Sequence, residues 1–126
     1  MRITCGTDIV EIDRIKESIN HMGNKFLDRI YTKKEIEYCE SKKQMKYQHY
    51  AARFAAKEAI FKAMSCYLED KWTISWTNVE ILNDEDGRPT VKIGKEIDTK
   101  RIDTIDVSLS HCKEYATAMV VVVTRY

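Results

Sequence analysis

Proline occurs once in these 126 residues and glycine four times, and the two never gather into a linker. A collagen-like or low-complexity chain is thereby excluded. With no internal repeat and no shift in composition, the length fits one domain around one core. Cysteine is sparse as well. Cys5, Cys39, Cys66 and Cys112 are scattered with no C-x-x-C pair. Neither a zinc site nor a disulfide framework is signalled, and reduced thiols are expected. Long apolar runs are missing too. VVVV at 120–123 is the longest concentrated stretch and suits a buried strand, so no membrane span is expected. MRITCGTDI at the start meets Asp8 too early for a secretion signal, which makes the cytoplasm the expected location.

Net charge is only +1, but it is unevenly spread. Residues 1–66 carry 13 Lys and Arg against 9 Asp and Glu; residues 67–126 carry 8 against 11. A basic half attracts an acidic protein, a phosphorylated ligand or nucleic acid. No groove-reading motif or basic aromatic sheet segment favours the last of these.

Hydrophobic residues make up 44% of the chain, ample for a globular core. Residues 2–10, RITCGTDIV, read as a strand. Ile12, Ile15 and Ile19 predict a helix over 11–22, and Phe26, Leu27 and Ile30 a short helical piece. Thr32 followed by Glu35 is a capping box that opens a helix to about Ser41. The longest helical signal covers about 44–64. Ala52, Ala56, Ala59 and Ala63 form a small-residue ridge on it, with Tyr50, Phe54 and Phe61 on a bulkier face. Residues 73–82 have strand character, NDEDGRP (83–89) is turn chemistry, and TVKI (90–93) is the return strand. A short helix over 94–101 is expected next. TIDVSLSH and YATAMVVVVTRY form a closing hairpin around HCKE. The class is α+β: a long central helix and shorter helices packed on a mostly antiparallel sheet.

Several polar residues stand in positions with two readings. Asp8, in an otherwise apolar strand, is a surface carboxylate, a helix N-cap or a metal ligand. Glu58 and Lys62 are i and i+4 on one helix. An exposed ion pair there contributes only a few tenths of a kcal/mol. Phe54 and Phe61 nevertheless place Glu58 beside the buried face. Asp8 and Glu58 together suit Mg²⁺, which takes few protein carboxylates and completes its shell with water and phosphate oxygens. Lys62 then serves as a point charge on phosphate. His111, in the turn after SLS, and Arg53, just before FAAKEA, are either surface residues or phosphate contacts. Lys57 is either a surface charge or a second phosphate contact.

GTDIVEIDRI (6–15), RFAAKEAIFKA (53–63), NDEDGRP (83–89) and SLSHCKEYATAMVV (108–121) occur in that order. Together they resemble the holo-acyl-carrier-protein synthases, the short trimeric class of 4′-phosphopantetheinyl transferases, along essentially the whole chain. The resemblance implies transfer of the phosphopantetheine arm of coenzyme A to a serine of an acyl carrier protein, for fatty acid synthesis. It implies Asp8 and Glu58 as Mg²⁺ ligands and Lys62 on a phosphate; Glu58, directly or through a metal-bound water, is the candidate base for the serine proton. Arg53 and His111 fall at contacts to the adenosine phosphates. Asn83, Gly87 and Pro89 fall in the loop bordering adenine, and Arg14 at a carrier-protein contact. A homotrimer with interfacial sites is implied too. The chain departs from the family pattern in lacking glycine over 64–68, in having Cys112 where threonine is common, and in offering only His21 and Lys25 as basic residues beyond Arg14.

Overall fold

The computed structural model describes residues 1–66, 75–95 and 97–125. Strand β1 (Arg2–Glu11) runs directly into helix α1 (Ile12–Met22). Helices α2 (Asn24–Ile30) and α3 (Lys33–Glu40) follow, and a single 3₁₀ turn at Lys43–Met45 leads into the long α4 (Lys46–Met64). The remaining strands are β2 (Val79–Asn83), β3 (Pro89–Ile93), β4 (Ile102–His111) and β5 (Tyr115–Thr124). They form two antiparallel sheets, β1-β5-β4 and β2-β3. The α+β class is as the sequence indicates.

Two local readings are corrected. The segment expected to be a strand over 73–82 begins its strand only at Val79. Trp76–Asn78 is a 3₁₀ turn, because Asn78 Oδ1 accepts from the Ser75 backbone N–H at 2.8 Å and closes a capping arrangement. Residues 73 and 74 lie outside the described residues. The helix expected over 94–101 is absent among the described residues. Isolated turns replace it, with Ile97 N donating to Gly94 O and Lys100 N to the Asp98 carboxylate.

The core sits between α4 and the larger sheet. The alanine ridge does what its small side chains permit: Ala52, Ala56, Ala59 and Ala63 are all buried, and β1 lies against them. Contact is closest at Gly6, where a Cβ would stand 2.0 Å from Ala59 O and 3.1 Å from Ala63 N. Only glycine permits this approach. Thr4 Oγ1 donates to Ala63 O at 2.8 Å one pair of residues earlier. Asp8 lies two residues beyond Gly6 on the same strand, so this contact sets how far its carboxylate stands from α4. Gly6→Ala must push β1 off the helix backbone. We expect it to lower stability by about 3 kcal/mol and the melting temperature by on the order of 10 °C. Calorimetry checks this, and an unchanged melting temperature would contradict it.

The capping box at Thr32 is present as read, with Thr32 N donating to Glu35 Oε1 at 2.8 Å. Glu35 does more than cap. It is wholly buried, and its Oε1 also receives the Lys57 ammonium at 2.7 Å. Its other oxygen accepts from Ile81 N at 2.8 Å. The Lys57 ammonium spends its remaining protons on Ile30 O (2.7 Å) and Trp76 O (3.0 Å). Lys57 is therefore neither a surface charge nor a phosphate contact, the two readings open from the sequence. It is the hub that ties α2, α3, α4 and the 76–78 turn together.

Candidate active site

Asp8, Glu58 and Arg14 come from β1, α4 and α1 and line one cleft of about 570 Å³. Phe26, Phe54, Ser18 and Tyr115 are among its walls. Asp8 reaches it because the Gly6 contact lays β1 along α4. Glu58 reaches it because Phe54 and Glu58 are i and i+4 on the same helix edge. The aromatic wall is itself packed: Phe54 stacks on Phe26 at 6.4 Å and on Trp76 at 5.0 Å between ring centroids. The sequence places Phe26 and Phe54 as core residues and not as cleft walls, and gives Ser18, Trp76 and Tyr115 no role. For Phe54 and Ser18 the signal was available, since each lies four residues from a site residue, Glu58 and Arg14 respectively.

The two carboxylates sense each other. Burial raises the pKa of Glu58, the negative charge of Asp8 raises it further, and Lys62 partly offsets both. The i, i+4 ion pair between Glu58 and Lys62 does not form. Lys62 Nζ donates instead to Asp8 Oδ1 at 3.1 Å and to Thr7 O at 3.0 Å. Asp8 has no capping role, because α1 starts after Glu11. Lys62 is about half exposed (54%) and Asp8 is 20% exposed, so the ammonium closes the solvent side of the carboxylate. Asp8 and Glu58 in one cleft, which Glu11 also lines, with the Lys62 ammonium on Asp8, suit a divalent cation bearing a phosphorylated ligand. No third metal-ligating side chain joins them among the described residues. Such a donor set fits Mg²⁺, which leaves most of its positions to water and ligand oxygens.

The other predicted residues gather elsewhere. Arg53 is not the surface residue of its simpler reading: it is 1% exposed. Its Nε donates to Ile81 O at 3.2 Å and its Nη2 to Asn83 Oδ1 at 2.6 Å, while the guanidinium lies 4.3 Å from the centre of the Tyr38 ring. Asn83 in turn donates from Nδ2 to Gly87 O at 2.9 Å. Arg53 therefore holds the 83–89 turn in place. Within that turn, Asp84 Oδ1 accepts from Asp86 N and Arg88 N, and Gly87 takes the φ of 81° that the turn needs. Pro89 is the first residue of β3, opposite Asn83, and not a loop residue. His111 is likewise corrected: it closes β4, paired with Ala116, and the turn proper begins at Cys112. Its ring lies 5.8 Å from that of His49, a residue the sequence gave no reason to select.

Along α4, Phe54, Glu58 and Lys62 form one i, i+4 ridge, whereas His49, Arg53 and Lys57 form the next. The site residues thus fall into two sets on adjacent flanks of one helix. Asp8, Glu58, Lys62 and Arg14 make the first set; Arg53, Asn83, Gly87 and His111 make the second.

A family model described as the 4′-phosphopantetheinyl transferase superfamily matches residues 4–120. The chain is 47% identical to the holo-[acyl-carrier-protein] synthase of Ruminiclostridium cellulolyticum, over 97% of this chain and 92% of that protein. It is 43% identical to the synthase of Protochlamydia amoebophila, over 96% and 98%. Among solved structures it is similar to the Chronobacterium ammoniagenes ACPS–CoA complex, with a TM-score of 0.84, 25% identity and full coverage of both chains. It is also similar to Helicobacter pylori holo-[acyl-carrier-protein] synthase in complex with coenzyme A, with a TM-score of 0.81, 31% identity, and coverage of 94% and 99%. The chain belongs to the 4′-phosphopantetheinyl transferase superfamily and, within it, to the holo-[acyl-carrier-protein] synthase family; it is an enzyme of that class.

Proposed function

We propose that this enzyme, acting as one domain, transfers the 4′-phosphopantetheine arm of coenzyme A to a serine of an apo-acyl carrier protein and releases 3′,5′-ADP. The observation that carries the reading is the meeting of Asp8 and Glu58 in one cleft. The two carboxylates lie fifty positions apart in sequence, and both are partly desolvated where they meet.

In the reaction the serine oxygen forms a bond to the β-phosphorus, and the pyrophosphate P–O bond to 3′,5′-ADP breaks. Asp8 and Glu58 would hold Mg²⁺, which when bound would neutralise charge on the pyrophosphate. Glu58 accepts the serine proton. Lys62, on its flexible stem, moves from Asp8 to a phosphate oxygen and stabilises the departing nucleotide. Arg53 and His111 hold the adenosine phosphates, with Asn83, Gly87 and Pro89 beside the base. Arg14, exposed at the cleft edge, meets acidic residues of the carrier.

Two observations support a homotrimer with sites between chains. One coenzyme A must touch both residue sets, and those lie on different flanks of α4. The outer face of the larger sheet also exposes three large apolar side chains, Ile3 at 64%, Ile9 at 62% and Met119 at 54%, beside the polar Thr7 and Ser108. Such a face is interface material. We place the enzyme in the cytoplasm, where holo-carrier serves fatty acid synthesis; no helix among the described residues is long and apolar enough to cross a membrane. The test is incubation with apo-carrier protein, coenzyme A and Mg²⁺. Mass spectrometry should show one added phosphopantetheine per carrier, dependent on the cation. A well-folded enzyme that adds none would overturn the reading.

A further inference from the structure

Three basic or protonatable side chains surround a single aromatic ring on the second flank of α4, and a fourth stands behind one of them. Tyr38 of α3 carries the Arg53 guanidinium at 4.3 Å and the Lys42 ammonium at 4.8 Å from its ring centre. His49 meets the same ring edge-on at 5.5 Å, and His111 meets His49 at 5.8 Å. Among the described residues no carboxylate pairs with any of the four. The groups facing His49 are Tyr38 from α3, Lys42 from the following turn, Arg53 from its own helix and His111 from β4. The two formal charges among them, Lys42 and Arg53, are both positive. Burial comes first, and then Arg53, His111 and Lys42, in pushing the His49 pKa down to about 4.

A half-buried imidazole held neutral by burial and, after it, by the neighbouring cations is poised to respond to an anion. A phosphate dianion among them reverses the sign of the local field and offers acceptor oxygens. We propose that His49 is a proton-linked phosphate-binding group, taking up a proton when the nucleotide's phosphomonoester settles between Arg53 and His111. The inference rests on the coenzyme A reading above and extends it to a residue that reading leaves out. It makes the affinity for a ligand bearing a 3′-phosphomonoester depend on pH through one ring. The direction follows from linkage. The ring's pKa is higher in the complex than in the free enzyme, so the affinity gain is present at low pH. It is lost as pH rises through the bound-state value.

Titration calorimetry of the full enzyme with 3′,5′-ADP, and with 5′-AMP as the ligand lacking the 3′-phosphate, tests this. The comparison is wild type against His49→Phe, which keeps an aromatic ring between Tyr38 and His111 but cannot take a proton. An anion that returns His49 to the ordinary histidine value of about 6.5 gives wild type about a tenfold advantage for 3′,5′-ADP at pH 5.5 and none at pH 8. The phosphate's own protonation is common to both proteins and cancels. For 5′-AMP the two proteins should match at both pH values. In parallel, ¹⁵N spectra of the three histidine rings should show the His49 nitrogens moving to the protonated position on addition of 3′,5′-ADP at pH 5.5. If wild type binds no 3′,5′-ADP at all, the coenzyme A reading fails and this inference with it. If binding is intact but the advantage is absent, or equal at both pH values, His49 only packs and the inference alone is overturned.

Discussion

Replacing Glu58 with glutamine should lower the rate of phosphopantetheine transfer by at least about 100-fold, the loss typical of a missing general base. The folded protein should survive the change. Burial and the Asp8 charge raise the Glu58 pKa, so the folded state disfavours the ionised carboxylate. A carboxyl with a raised folded pKa costs no stability below its unfolded value. The cost appears as pH rises through that value and is complete above the folded one. At neutral pH the glutamine variant should accordingly melt no lower than wild type, and at acid pH the two should converge. Activity lost while stability is kept separates a functional carboxylate from a packing residue. Transfer measured on apo-carrier by mass spectrometry, with melting curves at pH 4 and pH 7.5, checks both halves. Full activity in the variant would remove Glu58 from the chemistry.

The second large effect concerns stability. Glu35→Ala should cost about 3–5 kcal/mol, because it leaves the Lys57 ammonium buried without its counter-charge. Burial pulls the Lys57 pKa down, and the Glu35 carboxylate at 2.7 Å is the main force opposing that. The variant also strands Ile81 N, and takes from Thr32 N its bond to Glu35. Against a typical total of 5–15 kcal/mol, such a loss is a large fraction of the fold. The double variant Glu35→Gln with Lys57→Met should recover much of it. No charge is then buried, and the Gln carbonyl can still accept from Ile81 N. Denaturant titration of the single variants and the pair gives the coupling. Additive losses would show that the two side chains act separately. The effect reaches the cleft as well. Lys57 holds the Trp76 carbonyl, and the Trp76 ring backs Phe54, which lines the cleft. A slackened wall should raise the KM for coenzyme A in the Lys57 variant before it changes the chemistry.

The sequence made Glu58 legible because i, i+4 spacing with Lys62 and flanking phenylalanines fix its edge of the helix. Asp8 was legible as an isolated carboxylate in a strand. Its distance from Glu58 was not, since that depends on Gly6 seating β1 against Ala59, a contact between residues more than fifty positions apart. Lys57 and Arg53 were harder for another reason. Helix α4 is covered on nearly every side, so a charged residue on it does not declare whether it faces water or a buried partner. Both turned out to be buried. The partners that decide their roles, Glu35 and Asn83, lie 22 and 30 residues away. The segment before Val79 failed as a strand because Ser75 and Asn78 cap each other. That local hydrogen bonding competes with the ladder in a way β-propensity does not register. The two-flank division of the site residues was likewise out of reach until α4 had a fixed rotation between α3 and β1.

On the function proposed above, Asp8 and Glu58 would hold one cation against the pyrophosphate of coenzyme A. Crystals grown with coenzyme A and Mn²⁺ in place of Mg²⁺ test it directly through the anomalous signal of the metal. We expect a single peak coordinated by both carboxylates and by pyrophosphate oxygen, with Lys62 moved from Asp8 to phosphate. Coenzyme A bound with no metal between Asp8 and Glu58, or metal on neither carboxylate, would contradict it.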